Sequence, residues 1–471
     1  MNEIDLSETQ ERRRFDWAVI ALLLLLALAT RGYGLGTANL DVDEYYTVYE
    51  AAERATGRTG PLLNALALAS FRVFGVTEWT ARLPSFVLGV ITIPLFYATW
   101  RKVLGRPAAV AGALIVLVSG WHLWHSQYAR YYAGVFLFGS LAYYFFYRAV
   151  AKDSIRHLVA GWVWLLIGTL FHPTSVLVAV AFAAYCAAVV GLPPAAGGRR
   201  PRVAKIYLWV VGVGALVALP FLWNVVSHWY LAPKQWGRSP AGLILQIVKY
   251  IQIPVAVSAA FGIVHLLRVD LRKGLFFACG VVVPAGCLVL VSLGAPARPD
   301  FLFQSVPLAY AAAGYLCGVY WSTARRGLVN AALTVVVLAT MMPEFISHYS
   351  GRLGLHLRQV TGFLERSAQP GDRVLPFVSG IDHYSGGSLE MVPRVGSPFT
   401  QRADWSEVMD AAAGLPGRLW IVIPGARDPL APGLETWLRD HAWLKWRRFE
   451  KRFDYTHHGY EVYLVVDESN E

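Results

Sequence analysis

Long apolar runs separated by short charged clusters fill residues 17–347, and that alternation leaves few folds open. A helix needs roughly 20 apolar residues to cross a bilayer. By that measure the runs read as about eleven spans, at 17–35, 79–100, 107–125, 131–150, 158–172, 174–192, 206–226, 247–267, 275–293, 302–320 and 328–347. A polytopic α-helical membrane protein is expected. Composition agrees, because only 15% of residues are charged where a soluble domain carries about a quarter. The opening ERRRFDWAVIALLLLLALAT has the charged-then-apolar order of a signal peptide, with Ala27-Leu28-Ala29 as a cleavage-like triplet. The triplet falls inside the apolar run, so the segment is expected to persist as the first span.

Lys and Arg outnumber Asp and Glu by 42 to 31, but the excess sits beside apolar runs, which argues for membrane flanks and against nucleic acid. With the N-terminus in the cytoplasm, every inner loop is basic. The clusters are Arg101, Lys102 and Arg106; Arg148, Lys152 and Arg156; Arg199, Arg200, Arg202 and Lys205; Arg268, Arg272 and Lys273; and Arg325 with Arg326. That distribution requires the apolar stretch 61–75 to lie flat or re-entrant at the outer surface. It also puts the segment after 347 outside. There, LRQVTGFLERSA and LETWLRDHAWL have helical periodicity, while RVLPFV, RLWIVIP and YEVYLVV read as strands. Residues 348–471 are thus expected to form a small α/β extracytoplasmic domain after a membrane module at 1–347. Cys186, Cys279, Cys287 and Cys317 all lie in apolar runs and imply no disulfide framework.

Orientation directs attention to the outward loops. The loop 36–78 carries Asp41, Asp43 and Glu44 in NLDVDEYYTVYEAAERATG. The next, HSQYARYYA, carries Gln127, Arg130 and Tyr131; FHPT carries His172. SHWYLAPKQWGRSP brings Trp229, Lys234 and Trp236, and GAPARPDFLFQSVP brings Arg298, Asp300 and Gln304. Carboxylates from one loop and cations from others suit an anionic group held beside a general base. Each residue also has a plainer use. Asp41 and Glu44 have the spacing of a helix capping box, Arg130 suits a helix end at headgroup depth, and aromatics populate interfacial belts. Asp41-Val-Asp43 has the D-x-D form that holds Mg²⁺ or Mn²⁺ in many sugar transferases, which leaves room for a divalent cation there.

Taken in order, the loops resemble the GT-C superfamily of membrane glycosyltransferases, in the bacterial branch related to protein O-mannosyltransferases and aminoarabinose transferases. The resemblance rests on DVDEYYTVYEAA after the first span, on PLLNALALASFRVFGVTEWTARLPSFVLGVITIPLFY, and on HSQYARYYAGVFLFGSLAYYFFYRA. ARPDFLFQSVPLAYAAAGYL matches more weakly. It implies a transferase in a bacterial inner membrane that takes a monosaccharide from a polyprenyl-phosphate donor. Asp43 corresponds to that family's base, with Glu44 beside it. The chain departs from the pattern in Tyr46, Tyr49 and the added Asp41.

On that reading Arg130, helped by Lys234 and Arg298, offsets the donor phosphate charge, since a planar guanidinium suits bidentate phosphate contact. Asp41, Tyr45, Gln127, Tyr131, His172 and Trp236 then line the cavity. The acceptor hydroxyl belongs to a protein, a glycolipid or a cell-wall glycan. Two other classes stay open. A ligase using a lipid pyrophosphate would share the outward site. A lipid-linked sugar transporter would want ionisable groups in mid-membrane, and those inside the spans are chiefly His122, Lys249 and His265, toward the ends.

Overall fold

A computed structural model describes residues 3–53, 60–193, 201–231, 239–294, 297–319, 324–352, 357–377, 380–392, 418–424, 434–451 and 457–466. The helices begin α1 (Glu3–Gly32), α2 (Val42–Glu53), α3 (Pro61–Phe74), α4 (Glu78–Leu104), α5 (Arg106–Val118) and α6 (Gly120–Ser126). They continue α7 (Tyr132–Ala151), α8 (Ile155–Phe171), α9 (Val176–Gly191), α10 (Arg202–Leu231), α11 (Pro240–Ile251) and α12 (Ile253–Val269). Then come α13 (Leu271–Ser292), α14 (Val306–Gly318), α15 (Ala324–Arg352), α16 (Leu357–Ser367), α17 (Ile381–Ser385) and α18 (Leu434–His441). The chain divides into two compact units. One holds Met1–Tyr33, Thr56–Leu66 and Arg82–Phe345; the other holds Gly34–Ala55, Ala67–Ala81 and Ile346–Glu471.

The first unit is all helix. Among the described residues six helices are long and apolar enough to cross a membrane, or eight if each of two bent pairs is one span. The expected spans each fall on a helix or helix pair, though α8 and α14 are shorter than a full crossing. The stretch 61–75 forms α3, a 14-residue helix, short of the roughly 20 needed to cross. The expected span 247–267 falls on a bent pair, with an elbow of 93° between α11 and α12. Pro254 in the first turn of α12 has no N–H to donate, and Gln252 at the break takes φ 73°. The Gln252 amide donates to the carboxylate of Glu344 on α15, an acid within the last expected span.

Backbone-close seams hold this unit together. Within a bilayer, helices gain little from burying apolar surface, so close van der Waals approach of small residues does the work. Gly314 and Gly318, one turn apart on α14, lie against Ala108 and Gly112 of α5. A Cβ on Gly314 would sit 2.6 Å from Ala108 O, and one on Gly318 2.7 Å from Ala108 Cα. A second bend, of 62°, separates α5 from α6 at Ser119, whose Oγ accepts the His122 N–H at 3.2 Å. Carbonyls freed at that bend need partners. Buried Arg31 supplies them, donating to Leu117 O at 2.6 Å and Val116 O at 3.0 Å. On α1, buried Asp16 accepts from Tyr97 Oη (2.6 Å), from Arg106 (2.8 Å) and from Arg101, which ties α1, α4 and α5 together.

The second unit contains a five-stranded sheet of β1 (Arg373–Pro376), β2 (Glu390–Met391), β3 (Arg418–Pro424), β4 (Trp443–Lys451) and β5 (His457–Val466). Its order is β2-β1-β3-β5-β4, with β1 parallel to β2 and β3, and β5 antiparallel to β3 and β4. Strand alternation sends Trp420 and Val422 to one face, where they meet Leu357, Val360 and Leu364 of α16 and Ile381 of α17. Leu419, Ile421 and Ile423 face the other side, against Leu438 of α18. The expected helix through Leu444 is corrected: α18 ends at His441, and Trp443 and Leu444 open β4, paired to Leu464 and Tyr463 of β5.

Just before β1, buried Asp372 accepts from Trp420 Nε1 at 2.8 Å, Arg418 at 2.7 Å and the Gln369 N–H at 2.8 Å. Burial alone would raise its pKa. The hydrogen bonds from Arg418 and Trp420, with the Arg418 charge, win and hold it below the ordinary carboxylate value. A depressed folded pKa contributes stability that is present above the unfolded value, near 3.9, and is lost as pH falls through the folded one. Thermal unfolding of the full-length protein is therefore expected to weaken in Asp372→Asn by about 2 kcal/mol at neutral pH. The gap to wild type should close below about pH 4. A gap that is constant with pH would refute the assignment.

Candidate functional site

The turn between α6 and α7 is fixed from below. Ser85 Oγ on α4 donates to Arg130 O at 2.9 Å, so the HSQYARYYA segment is pinned to that helix. Arg130 is nearly buried, and its guanidinium lies 4.9 Å from the Tyr131 ring centroid. A flat, weakly hydrated cation stacks well on an aromatic face. Tyr131 in turn stacks on His172, with centroids 4.2 Å apart and planes at 18°. His172 continues the stack to Phe301 at 5.7 Å. Its Nδ1 bonds Thr174 Oγ1 at 2.8 Å and accepts the Thr174 N–H, which sets the ring's orientation at the α8–α9 turn. Arg130, Tyr131 and His172 are thus brought together in a rigid arrangement.

Asp300 lies near that stack on a 3-10 turn, Pro299–Leu302, between α13 and α14. One carboxylate oxygen accepts from Trp121 Nε1 at 3.2 Å and pairs with His125 Nε2 at 3.3 Å; the other meets Arg298 at 3.1 Å. Burial would raise the Asp300 pKa, but the hydrogen bonds from His125 and Trp121 and the Arg298 charge hold it well below the usual carboxylate range. Arg298 is therefore engaged as a counter-ion, with more than half of its side chain exposed. Trp121 and His125, four apart on α6, had that i,i+4 spacing as their sequence signal. The 300 carboxylate that joins them comes from far along the chain.

Gln127 has a structural task. It is fully buried, and its amide donates to Arg31 O at 2.6 Å and Tyr33 O at 2.8 Å, closing the end of α1.

Asp41, Asp43, Glu44 and Tyr45 belong to the second unit, at the start of α2. Glu44 is buried, and its Oε2 accepts the Asp41 N–H at 3.0 Å, which is half of a capping box. Asp43 occupies the first turn with intermediate exposure. Tyr45 packs edge-on to His383, with centroids 5.5 Å apart. Lys234 and Trp236 lie outside the described residues, as does the side chain of Trp229.

No three His, Cys, Asp or Glu converge among the described residues. Asp41 lies just before α2 and Asp43 in its first turn, and one oxygen of Glu44 is committed to the Asp41 N–H.

Residues 58–223 match the model of a family described as dolichyl-phosphate-mannose-protein mannosyltransferase. No curated protein sequence matches this one. The fold is similar to apo ArnT from Cupriavidus metallidurans, with TM-score 0.58 and 14% identity over 94% of this chain and 97% of that one. The same protein bound to undecaprenyl phosphate gives 0.55, also at 14% identity with 94% and 97% covered. The apo oligosaccharyltransferase of Archaeoglobus fulgidus gives 0.55 at 12% identity, covering 87% of this chain and 69% of that one.

Proposed function

We propose that this chain is a membrane glycosyltransferase of the GT-C type, related to the O-mannosyltransferases and ArnT, and that it transfers one sugar from a polyprenyl-phosphate carrier to an acceptor hydroxyl. The reaction takes place at the outer face of a bacterial plasma membrane and inverts the anomeric centre. Residues 1–347 form the catalytic membrane module and 348–471 an extracytoplasmic domain; the basic inner loops support that orientation. The observation that carries the reading is Arg130, a buried cation pinned through Ser85 and Tyr131 inside the segment that matches the mannosyltransferase family. ArnT, a fold relative, has been crystallised with undecaprenyl phosphate, which supports a lipid phosphate as the partner.

The chemistry balances without a metal. Asp43 takes the proton of the acceptor hydroxyl as its oxygen forms a bond to the anomeric carbon. The bond from that carbon to the phosphate oxygen breaks, and the electron pair leaves on polyprenyl phosphate. A phosphate is a weakly basic leaving group and needs no proton. It needs fixed positive charge, which preorganised cations supply without reorganising during the reaction. Arg130 is the principal cation, with Lys234 and Arg298 as lesser ones; Arg298 acts at reduced strength because Asp300 shares its charge.

The test is transfer by purified protein in detergent from a mixture of short-chain polyprenyl-phosphate sugars. A Ser/Thr peptide, a glycolipid and a cell-wall glycan are offered as acceptors, and released polyprenyl phosphate is read by mass spectrometry. Arg130→Ala is expected to lower kcat/KM for the donor roughly 10²-fold, with Arg130→Lys intermediate. Unchanged donor kinetics would remove Arg130 from the phosphate. Transfer from a pyrophosphate donor alone would replace the reading with a ligase.

A further inference from the structure

The turn that carries Asp43 is gripped by the C-terminal fold. Within the second unit, the backbone N–H of Leu40 donates to Tyr384 Oη at 2.8 Å. Leu40 and Ala38 are almost wholly buried, as is Asn39. The next N–H, that of Asp41, is taken by Glu44. Two successive donors leading into α2 are thus claimed, one from inside the turn and one by a side chain 344 residues away.

Tyr384 is itself held in place, packed against the sheet's apolar core. Arg358 of α16 lies over its ring at 5.5 Å and forms an ion pair with Glu78 at the start of α4. One helical turn back, Ile381 is fully buried in the sheet's apolar core, so α17 moves only with that core. Left-handed glycines bracket α17, Gly380 at φ +105° and Gly386 at φ +56°. Gly380 has a second constraint, because a Cβ there would lie 2.5 Å from Cε2 of Tyr45. The Tyr45 ring meets the edge of His383, next to Tyr384.

We propose that the C-terminal fold positions the Asp43 turn, with Tyr384 as the positioning residue; the catalytic half of this inference rests on the transfer reaction proposed above. Tyr384 touches no reacting atom. It fixes the backbone from which Asp43 projects, and a misplacement of about 1 Å in a reacting group costs on the order of 10²-fold in rate. The G-IDHYS-GG stretch supplies the helix stub, its two left-handed ends and the phenol in one short run of sequence.

Two readouts on the full-length protein in detergent decide it. Tyr384→Phe keeps the ring and its contact with Arg358 but removes the acceptor oxygen. Hydrogen exchange followed by mass spectrometry is expected to show peptides over residues 38–46 exchanging about 10-fold faster, with those over 357–367 unchanged. Gly380→Ala moves the same peptides the same way. Unchanged exchange at 38–46 overturns the proposal whatever the enzyme does. In the transfer assay, Tyr384→Phe is expected to lose about 10-fold in kcat with donor KM unchanged, a split that a general loss of folded protein would not give. A loosened turn with full kcat overturns the positioning role. Wild type that transfers from no polyprenyl-phosphate sugar sinks the parent reaction, and the exchange data then decide the anchoring independently.

Discussion

Asp43→Asn should eliminate sugar transfer, lowering kcat by about 10²–10⁴-fold, while the protein still accumulates and unfolds normally. The change is isosteric; it removes the charge and the ability to accept a proton. Neighbouring carboxylates are poorly placed to substitute. Glu44 has an oxygen committed to the Asp41 N–H, and Asp41 lies two residues back, on another face of the helix start. The loss of one charge from the first turn of a helix is itself worth about 0.5 kcal/mol. Retained activity in Asp43→Asn would refute the base assignment, and the same assay run in EDTA decides whether Asp41 and Asp43 work with a divalent cation.

A larger effect on folding is expected at Gly314. Replacing it with Leu drives a side chain into the α5 backbone, where a bare Cβ would already sit 2.6 Å from Ala108 O. Overpacking that a neighbouring side chain can relieve costs about 1–3 kcal/mol. Here the opposing atoms are backbone, so the helices must part, and a loss of 3 kcal/mol or more is expected. Size-exclusion profiles and thermal midpoints of Gly314→Leu beside Gly286→Ala measure this. Gly286 has open space around it, and Ala there should be neutral or slightly stabilising. Equal behaviour of the two variants would dismiss the seam.

The comparison of sequence with structure follows the range of each interaction. Helix positions were legible because apolar length is local, though among the described residues only six to eight of the expected spans are long and apolar enough to cross. The break at Gln252 was legible in principle from Pro254, but the predominantly apolar run across 247–267 outweighs one proline in any periodicity reading. In WLKWRRFEK the strand is chosen by its partner, β5, which lies beyond any local window. The capping of α2 could be read from Asp41 and Glu44 three apart. By contrast, the Trp121–His125–Asp300 cluster and the Tyr384–Leu40 bond join residues 175 or more positions apart. Arg298 and Asp300 were both visible in the loop GAPARPDFLFQSVP, but the ion pair between them was not.

The strand order β2-β1-β3-β5-β4 has a consequence for how the protein is made. β5, the last of the described strands, lies inside the sheet between β3 and β4. Until residues 457–466 leave the ribosome, β3 keeps an unpaired edge of alternating Leu, Trp, Ile and Val. The membrane helices can insert one after another during synthesis, but this sheet closes in a single late event. A premature stop just before β5 would therefore leave an adhesive edge on an otherwise inserted protein, where quality control is most needed.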